Sequence, residues 1–203
     1  MTTLKQKENI LNLISEIPNQ QLQRLIDSGL LKDMLNANID IIDRDKFRKI
    51  IGLSYTITVN YDLTVEEMVE EGRYDIANPA IYEETFKIKR HPEKKIIIEL
   101  VHFNVPVNDS EVVQRLAERN LRPVTLPELL AFGAKYPKQQ LDFPIAALGS
   151  EILCMIPGLS SYNETSDLDV KFRKIRVLCL FKPHEPWPTN CRFAAVTIEN
   201  SSN

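Results

Sequence analysis

The chain has 203 residues, 43% of them hydrophobic and 26% charged, with a formal net charge of −3. That composition is that of an ordinary folded protein, and the negative sum excludes a global attraction to nucleic acid or anionic lipid. No window approaches the ~18 consecutive apolar residues of a membrane span.

The first twenty residues are polar and carry no signal-peptide core. Cys154, Cys179 and Cys191 form neither a CxxC pair nor a disulfide framework, so free thiols and a cytoplasmic setting are expected.

Residues 5–16 can form a helix, interrupted by Pro18-Asn19. Asn19 can cap a second helix with Leu22, Leu25 and Ile26 as its apolar stripe. Ser28-Gly29 should break it, and Leu30, Leu31, Met34 and Leu35 begin another apolar face. Arg44 to Ile50 reads as a last short helix. Residues 1–50 are therefore a helical appendage with many apolar positions for its length, and Leu30, Leu31, Met34 and Leu35 are candidate partner-binding residues. The partner is a second copy or another protein. Arg44, Lys46, Arg48 and Lys49 are interleaved with Asp40, Asp43 and Asp45, which argues against DNA binding, since backbone affinity needs several uncompensated cations.

From Leu53 the period changes to two. Tyr55, Ile57, Val59 and Tyr61 alternate with polar residues, predicting a strand. Thr64 and Glu67 make a capping box for a helix ending at Gly72. Its carboxylates, Glu66, Glu67, Glu70 and Glu71, with Asp75 beyond, read as a solvated face; no histidine or cysteine nearby completes a metal set. Glu84–Lys89 and Lys95–Asn104 read as two strands joined through Arg90–Lys94. The second is β-branched and apolar in its middle, as a central strand should be. His102 lies within it. It could serve as a general base near neutrality; a half-buried histidine tied to a neighbour is the plainer alternative. Asn108 and Glu111 make another capping box.

The organising stretch runs from Leu121 to Ser150. Thr125 and Glu128 form a third capping box, Pro127 sits in the first turn, and Tyr136-Pro137 should end the helix. Phe143–Ser150 reads as a buried strand closed by a Gly149-Ser150 turn; the alternative is that this turn lines a site. The sequence LRPVTLPELLAFGAKYP followed by QQLDFPIAALGS resembles a pattern shared by an uncharacterised family of small bacterial proteins, LRPxTLxELLAFGxxYPxxQxxFPIxALGS. VNYDLTVEEMVEEGRYDIANPAI at 59–81, IELVHFN at 98–104, CRFAAV at 191–196 and the leader at 21–40 extend the resemblance over most of the chain. The pattern usually has alanine where this chain has Val124. No function follows from it.

Beyond it lie a predicted strand at 152–156, a Pro157-Gly158 turn, a polar loop at 160–167, strands at 174–181 and 192–199, and a proline-rich turn holding Trp187. Trp187 and Cys191–Val196 together resemble the closing strand of C-type-lectin-like folds. That resemblance implies a ligand pocket between 160–170 and 183–190, lined by Tyr162 and Trp187.

The fold expected is α+β: a helical unit at 1–50, then a domain at 53–199 with a mixed, mostly antiparallel sheet and flanking helices. The sequence carries no dinucleotide, phosphate-loop, nucleophile-elbow or zinc-protease motif, and no cofactor or metal is expected. The function expected is a non-enzymatic protein-interaction module. The alternatives are a small-ligand or glycan-binding domain and a hydrolase or nuclease centred on His102.

Overall fold

The computed structural model describes residues 5, 8, 9, 11, 19–36, 54–103, 105–165, 172–182 and 186–198. The chain divides into two compact units, Met1–Phe47 and Arg48–Asn203.

In the first unit, helices α1 (Asn19–Asp27) and α2 (Leu30–Asn36) contact one another. The break between them is the predicted one: Gly29 takes a left-handed φ of 73°, and the Ser28 hydroxyl donates to the Leu25 carbonyl. Lys5, Glu8, Asn9 and Leu11 are also helical. The helix predicted from Arg44 to Ile50 lies outside the described residues.

The second unit is built on an eight-stranded mixed sheet. In chain order its elements are β1 (Ser54–Val59), α3 (Val65–Gly72), β2 (Ile76–Ala77), β3 (Lys94–His102), α4 (Asp109–Ala117), β4 (Leu121–Pro123) and α5 (Leu126–Lys135). A 3-10 turn (Gln139–Leu141), β5 (Ile145–Ala146), β6 (Ile156–Thr165), β7 (Phe172–Phe181) and β8 (Arg192–Thr197) follow. The strand order is β1-β3-β8-β5-β6-β7-β2, with β4 also on β8. The pairing is antiparallel except for β2 with β7 and β5 with β8. The fold is thus α+β.

Strand periodicity places one hydrophobic cluster on each face of this sheet. Along β8, Ala194 and Val196 point to one cluster while Phe193 and Ala195 point to the other. Along β3, Ile96 and Ile98 face the first, and Val101 and Phe103 the second. The first cluster is covered by α3 and α5, through Val65, Met68, Leu126, Leu129, Leu130 and Phe132. The second is covered by Val112 and Leu116 of α4 and closed by Trp187. All three capping boxes form, at Thr64, Asn108 and Thr125.

Four local expectations are corrected. Residues 84–89 form no strand: both edges of β3 are taken, by β1 and β8, so the alternating segment has no ladder to join. Pro157-Gly158 is not a turn, and the loop expected at 160–167 is strand as far as Thr165. Ile156–Thr165 runs straight opposite Phe172–Phe181. Gly158 is required there for space, since a Cβ would collide with the Phe181 ring. The reversal comes earlier, at Leu153 and Cys154, both left-handed with φ of 48° and 61°. The strand expected over 143–150 shrinks to Ile145–Ala146, because β5 fills only the part of the β8 edge that β4 leaves open.

Candidate functional site

A cleft with converging polar groups lies where α5 begins. Strand β4 runs into it and the Gly149-Ser150 turn closes over it. Its volume is about 640 Å³, and it is lined by Tyr61, the segment 85–89, His91, Arg122, Thr125–Glu128 and 149–151.

Its floor is built from the capping box. The Thr125 N–H donates to Glu128 Oε2 at 2.7 Å. Arg122, on β4, donates from its two terminal nitrogens to Oε2 at 2.9 Å and Oε1 at 2.6 Å, the paired geometry that only a guanidinium offers a carboxylate. The Tyr61 hydroxyl reaches Oε1 at 3.4 Å. The next amide of the helix, Leu126 N–H, donates to Ser150 Oγ at 2.8 Å, and the Gly149 N–H to the Val124 carbonyl at 3.0 Å. The Gly149-Ser150 turn therefore both lines the cleft and completes the helix cap.

These contacts decide what the cleft can do. Glu128 is only 1% exposed. Burial by itself would raise its carboxyl pKa, but Arg122 and the Thr125 N–H outweigh it and hold the group below its ordinary value. An ionised carboxylate whose oxygens are both occupied is a poor proton acceptor. Burial, with the Glu128 charge behind it, pushes the Tyr61 phenol up to about 12, so it stays protonated at neutral pH. The helix N-terminus is filled by the chain's own carboxylate and hydroxyl, leaving no open amide cradle for a phosphate. The floor is a neutral, rigid platform, and what remains for a ligand is the wall opposite, Thr85–His91.

His102 stands elsewhere. Its Nε2 lies 2.6 Å from the Thr189 carbonyl oxygen, a main-chain contact. Trp187 is 1% exposed. Its ring packs edge-on against Phe181 and Phe193, and its Nε1–H donates to Asp109. Tyr162 is exposed on β6 opposite Ile175. That position is six residues along the strand from the pair formed with Phe181, roughly 20 Å at strand rise. Trp187 and Tyr162 are thus not brought together: one is core, the other surface. The carboxylates Glu66, Glu67, Glu70 and Glu71 are exposed along α3. Among the described residues no three His, Cys, Asp or Glu side chains converge to hold a metal, and no helix is long and apolar enough to cross a membrane.

In the helical unit the described side chains of the apolar stripe range from half-buried to exposed. Leu22, Leu25 and Leu31 are half-buried, while Ile26 and Met34 are 51% and 41% exposed. Leu30 and Leu35 fall on the same helix as Leu31 and Met34. Sequence reasoning found this stripe but missed Arg122 and Tyr61, and read Glu128 only as a cap. The signal for Arg122 was its place six residues before a capping carboxylate, at the end of a short extended run. The chain matches no family model, curated protein or solved structure.

Proposed function

We propose that the protein is a non-enzymatic interaction module whose helical unit docks through the apolar stripe of α1 and α2, and that its occupant is a second copy of the chain. The supporting observation is the exposure of Ile26 and Met34 on helices whose remaining described apolar side chains are no better than half-buried. A helical unit this short buries too little surface to be stable without further cover. The charges carried by the sequences of α1 and α2 balance, Arg24 and Lys32 against Asp27 and Asp33. A neutral, mixed-sign rim meets its own two-fold image without net repulsion, as an isologous contact requires.

Sedimentation equilibrium of the full chain tests this. The expected result is a dimer, converted to monomer by the joint substitution Ile26→Glu and Met34→Glu with the thermal transition of the second unit unchanged. A parent chain that stays monomeric up to high micromolar concentration overturns the proposal, as does a dimer that survives both substitutions.

A further inference from the structure

We propose that the cleft beside α5 is a docking groove for an extended acidic peptide, which adds a strand along the main chain of Lys87–His91. This surface is separate from the helical stripe and does not depend on it.

The first observation is an unused edge. Residues 87–93 belong to no strand or helix, yet side chains from Phe86 to Lys89 alternate as in a strand: Phe86 buried, Lys87 exposed, Ile88 half-buried, Lys89 exposed. Among the described residues, the backbone N–H and C=O groups of Lys87, Ile88, Lys89 and His91 form no hydrogen bond. A row of free donors and acceptors in strand-like alternation is the template that strand addition uses.

The second is that this edge is held in place. Phe86 and Ile88 are rooted in the core beneath α5. Arg90 is fixed from three sides, donating to the Tyr61 and Leu63 carbonyls at 3.1 and 2.6 Å and to Glu83 at 3.1 Å. A pre-set edge spares a ligand the ordering cost that a mobile loop imposes. The facing wall, the start of α5 and the 149–151 turn, is equally fixed by the Arg122–Glu128 pair and the Ser150 bond.

The third is charge. Lys87 and Lys89 project from the edge and enter no ion pair among the described residues. On the floor Arg122 and Glu128 cancel, and among the described lining residues Glu151 is the carboxylate on the opposite rim. In a chain of net charge −3, this wall is locally basic and selects an acidic partner. A peptide suits it better than a nucleic acid. The Tyr61 ring already meets His91 edge-on at 5.7 Å and Phe86 is buried, so the cleft offers no free aromatic face for stacking bases. The free amides of the edge match a peptide backbone.

The test is fluorescence anisotropy with a labelled peptide alternating aspartate and valine, beside the same peptide with lysine for aspartate and a labelled oligouridylate. The acidic peptide is expected to bind and the lysine peptide not. The joint substitution Lys87→Glu and Lys89→Glu should weaken binding about tenfold or more. Lys89→Pro, which removes an edge N–H, should weaken it well beyond Lys89→Ala, which removes only the charge. Amide exchange at Lys87–His91 in the unsubstituted protein should slow when the peptide is present. Absent acidic-peptide binding, equal binding by the lysine peptide, tighter binding of the oligouridylate, or unslowed exchange at these amides would each overturn the proposal.

Discussion

Gly133 sits inside α5, where alanine ordinarily stabilises a helix by about 0.8–1 kcal/mol. In this fold the sign should reverse. A Cβ at residue 133 would overlap the Tyr74 hydroxyl and stand 3.1 Å from both Tyr74 Cζ and Leu159 Cδ1. The tyrosine cannot step aside: the Arg176 guanidinium stacks on its ring at 4.9 Å, and the ring already fills the space a Cβ on Gly72 would need. Overpacking of this kind costs about 1–3 kcal/mol. Against the helical gain, Gly133→Ala should lower stability by about 1 kcal/mol.

The same geometry makes a second variant informative. The Tyr74 hydroxyl is buried and has no hydrogen-bond partner among the described residues, and a buried unsatisfied polar group costs about 1–3 kcal/mol. Tyr74→Phe removes that group, keeps the ring under Arg176, and should raise stability by about 1 kcal/mol. It also removes the atom that the new methyl strikes, so the double variant should be more stable than the two single effects sum to. Urea unfolding of the four proteins measures this, read as shifts in midpoint at unchanged slope. A Gly133→Ala protein more stable than its parent, or strictly additive effects, would refute the reasoning.

Two further outcomes are expected. Glu128 has its carboxyl pKa lowered in the folded state. Its contribution is therefore full above the ordinary carboxylate value of 4.5 and is lost as pH falls below it through the lowered folded value. Denaturant midpoints measured from neutral pH downward should show that loss, and Glu128→Gln should flatten it. Thiol labelling should separate the cysteines. Cys154 is exposed, whereas burial pushes Cys179 and Cys191 up to about 12. One fast-reacting thiol in the native protein and three after denaturation is the expected result.

Much of the fold was written in local chemistry. The pairs Thr64/Glu67, Asn108/Glu111 and Thr125/Glu128 are each closed within four residues, so they announce helix starts without knowledge of the rest. The two-residue period of β1 and the β-branched run of β3 were equally legible. What failed depended on distant partners. Residues 84–89 have the alternation of a strand, but only the sheet order shows that both edges of β3, the strand that follows them, are already taken. Pro157-Gly158 looks like a turn until Leu180 and Cys179 lie opposite. Gly72 reads as a left-handed helix stop, yet Arg73 takes that conformation with φ of 47°, and the glycine is needed for the Tyr74 ring beside it. The lectin-like resemblance puts Trp187 at a pocket, but its partners are distant in the chain: Phe181, Phe193 and Asp109 meet it from three other segments.

The sheet order also carries a consequence for biosynthesis. Strand β8, the last in the chain, lies between β3 on one side and β4 and β5 on the other. Until it emerges from the ribosome, the β1–β3 pair and the β5-β6-β7-β2 group have no strand to join them. A stalled chain ending before Arg192 would carry two half-sheets with facing open edges and both apolar clusters unsealed. Non-local pairing this late leaves adhesive surface exposed until β8 is made.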